Sequence, residues 1–145
     1  MQFWLAFSLC LQCYWTDVCG YGLPIGDEDV HVVAGMLEQH GNELFNVCVC
    51  ASPDGNVSTY RKTHLPHLGV DHFTTPGNEP YTVHAAGEVN IGMQICYDAS
   101  FPEASRSLAL AGADIIVLPT NWPFGAEPTA DYVINARASE NKVYF

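Results

Sequence analysis

The chain has 145 residues, of which 48% are apolar and only 14% are charged. That balance supplies enough material for a buried core and excludes an intrinsically disordered protein. The formal net charge is −11, from five basic and sixteen acidic residues, whereas a nucleic-acid-binding surface needs clustered Lys and Arg, so we exclude nucleic acid as a partner.

The chain begins with an apolar and aromatic run that no Lys or Arg precedes, so the basic start of a secretory signal is missing. The run is also shorter than the roughly 20 residues that span a bilayer as a helix. We therefore expect no membrane partner and a cytoplasmic location, with a weak export signal or an incorrect gene start as alternatives to a buried element. Cys10 and Cys13 lack a second pair at zinc-finger distance, so we expect no metal. Residues 1–30 are assigned to an N-terminal segment and residues 31–145 to the domain.

Two apolar runs, at residues 31–37 and 43–50, flank a stretch of turn-forming residues at 39–42. This pattern predicts a β-hairpin. Cys48 and Cys50 alternate within the second run, so both side chains point to the same face of a strand. We interpret them as buried, free thiols, because an unpaired cysteine behaves as a small apolar residue.

A strong turn signal at residues 52–55 is followed by a short predicted strand at 56–60, which leads directly into Lys62. Residues 63–80 contain three prolines, two glycines and three histidines, which indicates a long loop. Loops of this length in compact domains are usually functional.

The second half of the chain alternates strand and helix patterns. An apolar, β-branched run before Pro119 is typical of a strand buried on both faces, and Gly112 ends the helix that precedes it. Strand–helix–strand order implies an α/β fold. The predicted elements are a hairpin of residues 81–85 and 89–95, a helix over 102–111, a buried strand over 113–119, a helix over 129–141 and a strand that starts at 143–145.

Three sequence blocks carry a specific resemblance. They are residues 60–66 (YRKTHLP), then 92–98 (GMQICYD) with 101–103 (FPE), then 112–114 (GAD) with 118–123 (LPTNWP). Over residues 31–145 the chain resembles the carbon–nitrogen hydrolase (nitrilase) superfamily. The resemblance implies a partial α–β–β–α sandwich of the nitrilase type.

Family members use a glutamate, a lysine and a cysteine, so the resemblance makes Cys96 the nucleophile and Lys62 the lysine. A cysteine attacks as the thiolate, which needs a base or a nearby positive charge. Lys62 supplies that charge and a donor to the oxyanion of a tetrahedral intermediate. Cys96 lies between a predicted strand and a predicted helix, where a turn directs backbone N–H groups towards the substrate, so the Tyr97 amide is the second predicted oxyanion donor.

Other polar residues near these blocks have two interpretations each. Asn121 and Trp122 follow the predicted buried strand at its carboxyl end, where α/β proteins collect ligand-binding groups, and we assign them to substrate binding, with packing as the alternative for Trp122. Many relatives carry a second carboxylate shortly after the lysine, and Asp71 is the nearest candidate. Asp98 and Glu103 are interpreted as structural, pairing with Arg106 or capping the helix near residue 102.

The upstream catalytic glutamate has no good candidate. Glu28 lies in an acidic loop, and Glu38 and Glu43 flank the hairpin turn, where we expect them to be exposed. The family domain is about twice as long as this chain, so we expect a chain truncated at both ends that turns over little or no substrate.

These residues predict hydrolysis of a non-peptide carbon–nitrogen bond in a small molecule, an amide, a nitrile or an N-carbamoyl group. The expected intermediate is a thioester or thioimidate on Cys96, with no metal or organic cofactor. Family members often associate, so we expect a homo-oligomer. Two alternatives stay open: a non-catalytic remnant or interaction module, and a Cys–His thiol hydrolase with His64 or His84 as the base.

Overall fold

A computed structural model describes Trp4–Leu5 and residues 30–145. The chain divides after Gly77 into two compact units, and each unit contains one β-sheet. Most of the predicted N-terminal segment, with Cys10 and Cys13, lies outside the described residues. In the described part, no helix is both long enough and apolar enough to cross a membrane.

The first unit contains a four-stranded sheet. The second and third strands are antiparallel and meet at a two-residue turn, in which Gly41 adopts a left-handed conformation with φ of 61°. The first strand runs parallel to the second. The predicted hairpin is thus confirmed, with longer strands. The four strands are β1 (Trp4–Leu5), β2 (Val32–His40), β3 (Glu43–Ala51) and β4 (Val57–Arg61).

Strand β3 carries buried residues on both faces. Phe45, Val47 and Val49 form a core cluster on one face. Cys48 and Cys50 lie on the opposite face, and both are buried, free thiols, as predicted. Burial raises the pKa of each thiol, so neither is a ready thiolate.

The predicted loop after β4 leaves the sheet and returns to it. It contains a short 3₁₀ helix, Gly69–His72, that the sequence pattern did not predict. Backbone hydrogen bonds fix its far end: the Thr75 N–H donates to the Leu44 carbonyl at 2.7 Å, and the Gly77 N–H donates to the Lys62 carbonyl at 2.8 Å. The loop is therefore tied to the sheet at the point where β4 ends.

The second unit contains the strand–helix–strand arrangement that the sequence predicted. Its sheet has the order β5–β6–β7, with β5 antiparallel and β7 parallel to β6. A parallel pair requires a crossover, and helix α1 provides it. The elements are β5 (Val83–Ala86), β6 (Val89–Met93), α1 (Pro102–Leu110), β7 (Ile115–Val117) and α2 (Asn135–Asn141), with a π-helix over Thr129–Ile134 directly before α2.

Helix α1 packs closely on β6. A Cβ on Gly92 would lie 3.1 Å from both terminal methyl carbons of Leu108, so only glycine admits this approach without movement of the leucine. Leu108 is fully buried together with Ile116 of β7. Pro102 opens the helix, where its missing N–H costs nothing, and Gly112 follows its end with φ of 98°.

Two expectations for the second unit need correction. The strand predicted over 113–119 is shorter, and of its three residues only Ile116 is fully buried, whereas Ile115 and Val117 are half-buried. The strand predicted at 143–145 is a single parallel bridge between Tyr144 and Ile115.

Candidate active site

Lys62 follows the last residue of β4 and is buried, with 2% of its surface exposed. Its backbone N–H donates to the Asn46 carbonyl at 2.8 Å, which extends the β3–β4 ladder by one residue. Its own carbonyl accepts the N–H of Gly77. This burial distinguishes Lys62 from a solvated lysine at a strand end.

The ammonium of Lys62 contacts a carboxylate that the sequence marked only as a candidate. Nζ lies 2.5 Å from Oδ2 of Asp71, which is 4% exposed on the short helix Gly69–His72. The other oxygen of Asp71 accepts a hydrogen bond from Nδ2 of Asn46 at 2.8 Å and a longer one from Oγ1 of Thr74 at 3.5 Å. The loop thus folds back so that a buried, hydrogen-bonded ion pair forms.

The neighbouring basic residue, Arg61, points to the opposite face of the sheet. It donates two hydrogen bonds to Glu38, of 2.8 and 2.6 Å, and its guanidinium lies 4.1 Å from the ring centre of Phe45. The hydrogen bond from Arg61 holds the pKa of Glu38 below its ordinary value. The expectation that Glu38 is exposed was wrong: its side chain is half-buried and committed to Arg61, whereas Glu43 is exposed as expected.

Cys96 occupies a strained turn in the second unit. Ile95 is extended, with φ of −131°, and Cys96 then reverses to φ of 47° as the first residue of a 3₁₀ helix, Cys96–Ser100. The left-handed region is unfavourable for any residue with a Cβ, and such residues concentrate at functional sites. The Cys96 N–H donates to the Pro119 carbonyl at 3.1 Å, and the residue is half-buried.

Two side chains hold this turn in place. Asp98, which is completely buried, accepts the N–H of Ile95 at 2.9 Å. The structural role predicted for Asp98 is confirmed, but the helix it caps begins at Cys96 and not at Pro102. Arg137 of α2 donates to the carbonyls of Ala99 and Ser100, at 3.1 and 3.4 Å. The sequence interpretation missed Arg137, because no local pattern links it to a turn nearly 40 residues earlier.

The remaining predicted site residues lie around the end of β6. Tyr97 is the second residue of the helix that Cys96 begins, and the N–H at this position has no intrahelical acceptor. The ring of Tyr97 packs edge-on against the ring of Phe101, with 5.3 Å between the ring centres. Because β6 and β7 are parallel neighbours, their carboxyl ends lie side by side, and residues 121 and 122 follow β7 there. Asn121 is exposed and Trp122 is half-buried, and their binding role stays a prediction.

Gln94 is a buried polar residue that the sequence interpretation passed over. It is completely buried, and its Oε1 accepts a hydrogen bond from Ser105 of α1 at 3.2 Å. Within the described part of the chain, its Nε2 has no hydrogen-bond partner. An amide directly after a strand and two residues before a candidate nucleophile is the signal that marks it.

His84 is badly placed to act as a base for Cys96. It sits on β5 beside Ile91 of β6, and Cys96 follows Ile91 by five residues. Five extended residues cover roughly 16 Å, far beyond hydrogen-bonding distance. Burial also lowers the pKa of His84. The geometry of the second unit therefore disfavours the His84 form of the Cys–His alternative.

Comparison with known proteins finds relatives over most of the chain. The family model described as carbon-nitrogen hydrolase matches residues 26–145. A nitrilase from Pyrococcus abyssi is 41% identical over 118 residues, which cover 81% of this chain and 44% of the nitrilase. An (R)-stereoselective amidase from Pseudomonas sp. is 39% identical over 123 residues, which cover 83% of this chain and 43% of the amidase. The chain thus spans less than half the length of these relatives.

Solved structures of similar proteins share the fold. An amidase from Nesterenkonia sp. superposes with a TM-score of 0.76 at 26% identity, over 88% of this chain and 48% of the amidase. A mutant of the amidase from Nesterenkonia sp. AN1 shows the result of Michael addition of acrylamide at its active site cysteine. It superposes with a TM-score of 0.73 at 27% identity, over 82% of this chain and 48% of the amidase. The resemblance carried by the three sequence blocks is confirmed, as is the α/β class.

Proposed function

Because the chain belongs to the carbon–nitrogen hydrolase family, we propose that it contributes Cys96 and Lys62 to the hydrolysis of a non-peptide carbon–nitrogen bond in a small molecule. The observation that carries this proposal is the left-handed backbone of Cys96 at the carboxyl end of β6. Such a conformation raises the energy of the folded chain and persists only where the surrounding contacts impose it. Asp98 and Arg137 supply those contacts.

For an amide substrate, the sulfur of Cys96 attacks the carbonyl carbon and a tetrahedral oxyanion forms. The C–N bond then breaks, the proton of the thiol leaves with the nitrogen as ammonia or an amine, and a thioester remains on Cys96. Water attacks the thioester, which releases the carboxylic acid and restores the thiol. With a nitrile, the thiol adds across the carbon–nitrogen triple bond to form a thioimidate, and water then displaces ammonia from it to leave the same thioester.

We assign the oxyanion donors to Lys62 and to the backbone N–H of Tyr97. A buried ammonium held by Asp71 is a donor whose direction is fixed before the reaction, and fixed donors stabilise developing charge without reorganisation. Asp71 serves as the second carboxylate and keeps the ammonium in place. Asn121 and Trp122 contribute to substrate binding in this proposal.

We further propose a cytoplasmic homo-oligomer. The three described cysteines are free thiols, and a thiol nucleophile needs a reducing compartment. Phe124 and Tyr144 of the second unit are large apolar side chains that are largely exposed, which supports association. Light scattering on the purified chain distinguishes an oligomer from a monomer.

A p-nitrophenyl ester tests the nucleophile, because its leaving group departs as a stable anion and needs no proton. Mass spectrometry of peptides from the acid-quenched reaction should find the acyl group on Cys96. Cys96→Ala should abolish this adduct and any ammonia release from a panel of amides, nitriles and N-carbamoyl compounds, whereas Cys50→Ala should retain both. An acyl group found elsewhere, or ammonia release that survives Cys96→Ala, would overturn the proposal in favour of a non-catalytic module or another nucleophile.

A further inference from the structure

We infer that Asn46 is a positioning residue that sets the carboxylate of Asp71 against the ammonium of Lys62. None of the three sequence blocks includes Asn46, which lies in the middle of β3. The inference deepens the proposed function and rests on it, since the purpose of the positioned ammonium is to stabilise an oxyanion.

The strand register places Asn46 directly opposite Lys62. Val47 pairs with Arg61 in the antiparallel ladder, and the next pair is Asn46 with Lys62, joined by the hydrogen bond between the Lys62 N–H and the Asn46 carbonyl. Side chains of directly opposed residues emerge on the same face of a sheet. Asn46 and Lys62 are therefore cross-strand neighbours.

The side chain of Asn46 reaches the same carboxylate as Lys62. Its Nδ2 donates to Oδ1 of Asp71 at 2.8 Å, while Oδ2 of Asp71 faces the ammonium. The two oxygens of one carboxylate are thus divided between an amide donor and an ammonium donor. Rotation of the carboxyl group about its Cβ–Cγ bond would break both contacts, so the amide fixes the direction in which the second oxygen points.

Asn46 is also unusual for its place in the fold. Asparagine is depleted in strands, and the same face of β3 continues with two completely apolar neighbours, Cys48 and Cys50. A polar side chain in such a position is unfavourable unless it is hydrogen-bonded. The contact with Asp71 satisfies that requirement and accounts for a polar residue at this position.

The loop that carries Asp71 does not depend on the Asn46 side chain for closure. Backbone hydrogen bonds from Thr75 and Gly77 to the sheet hold the loop in place. The hydroxyl of Thr74 is 3.5 Å from Oδ1, at the limit of a hydrogen bond, and it cannot replace the amide. Removal of the amide should therefore loosen the carboxylate and the ammonium while the loop stays closed.

Lysine acylation measures how loosely the Lys62 ammonium is held, and it does not depend on catalysis. The assay is simple to read because the chain contains only two lysines. Lys62 is buried and Lys142 is exposed, so the ratio of their modification by an N-hydroxysuccinimide ester reports how often the Lys62 ammonium leaves its partner. We expect Asn46→Ala to raise the ratio of Lys62 to Lys142 modification about fivefold, the factor that corresponds to one hydrogen bond of ordinary net strength.

Asn56→Ala is the matched control. Asn56 also donates through Nδ2 to an aspartate, Asp54 at 2.6 Å, but in an exposed turn between β3 and β4. It should leave the labelling ratio unchanged. An equal rise in both variants would show that any loss of an amide loosens the sheet, and it would overturn the positioning role.

An exchange of the two side chains supplies the rescue. Asp71→Asn alone removes the negative charge that faces the ammonium and should raise the labelling ratio more than Asn46→Ala does. In the double variant Asn46→Asp with Asp71→Asn, the new amide donates to the carboxylate at position 46 and turns its oxygen to Lys62. The ratio should then fall back towards the wild-type value, and a ratio that stays at the level of Asp71→Asn would contradict positioning.

Acylation of Cys96 by the p-nitrophenyl ester separates this inference from the proposed function. If wild-type Cys96 forms no adduct, the proposed function fails, while the labelling ratio still decides whether Asn46 orients the pair. If wild-type Cys96 reacts, Asn46→Ala should slow acylation about fivefold at saturating ester with an unchanged KM, since the missing contact acts on the oxyanion donor. Acylation that is unchanged in a variant with a raised labelling ratio would overturn the catalytic purpose of the positioning.

Discussion

The buried pair of Lys62 and Asp71 gives the sharpest prediction about stability. Asp71→Asn preserves the size of the side chain and an oxygen that faces Lys62, but it removes the negative charge. The ammonium is then left in a site that is almost closed to water. Removal of one partner from a buried ion pair typically costs about 3–5 kcal/mol, and the remaining amide oxygen places this variant near 3 kcal/mol.

Urea denaturation followed by circular dichroism provides the measurement, with the free energy of unfolding compared at equal m-values. Glu140→Gln is the reference, since it breaks the exposed contact between Glu140 and Arg137, and surface pairs contribute about 0–1 kcal/mol. The double variant Lys62→Met with Asp71→Asn should recover much of the loss, because no unpaired charge is left. If Asp71→Asn costs no more than Glu140→Gln, the Lys62 ammonium is not buried and the description of this site is wrong.

Three further predictions concern the groups around the two catalytic candidates. The pKa of Glu38 is lowered in the folded chain, so its pair with Arg61 stabilises the fold at pH values above the ordinary carboxyl pKa of 4.5. This contribution is lost as the pH falls through the lower folded pKa. Glu38→Gln should therefore flatten the dependence of the unfolding free energy on pH in the acid range. Gly77→Ala should destabilise by about 1–3 kcal/mol in urea denaturation, because the new Cβ would lie 2.3 Å from the Arg61 carbonyl oxygen. Arg137→Ala frees the carbonyls after Cys96 and should slow acylation of that thiol by the p-nitrophenyl ester by about 10- to 100-fold, because the proposed Tyr97 oxyanion donor is no longer held in place.

Two of these outcomes have a control within the chain. Glu43→Gln removes an exposed carboxylate and should leave the acid-range dependence intact, so an equal flattening would dissociate the effect from Arg61. Arg106→Ala removes a hydrogen bond to the Glu140 carbonyl and leaves the Cys96 turn untouched. Slower acylation in both arginine variants would point to a general loss of packing between the helices.

Much of the fold could be predicted because its determinants are local. The glycine at position 41 between alternating apolar runs specifies a hairpin, and Pro102 with Gly112 marks the two ends of α1. The parallel arrangement of β6 and β7 followed from a strand–helix–strand pattern.

The site could be predicted only in part, since its contacts depend on register and loop closure. Lys62 and Cys96 were found because they stand in specific blocks. The partner of Lys62 depends on how a loop of many possible conformations folds back, and the partner of Glu38 depends on the pairing of three strands. Arg137 reaches the Cys96 turn from a helix distant in sequence. Periodicity and turn signals carry no information about such contacts.

In the proposed function, Cys96 is a nucleophile that is activated with the help of Lys62. Iodoacetamide labelling at neutral pH, followed by peptide mass spectrometry, measures Cys96 and Cys48 in the same molecules. Cys48 is completely buried, and burial raises its pKa, so we expect it to react slowly. A slow reaction of Cys48 also shows that the first unit is folded.

We expect Cys96 to react with iodoacetamide at least about 100-fold faster than Cys48. The double variant Lys62→Met with Asp71→Asn should slow Cys96 by about tenfold or more while Cys48 stays protected, and Lys142→Met should have no effect. A rate of Cys96 alkylation no higher than that of Cys48, or one that does not change when Lys62 is replaced, would contradict the proposed roles of Cys96 and Lys62.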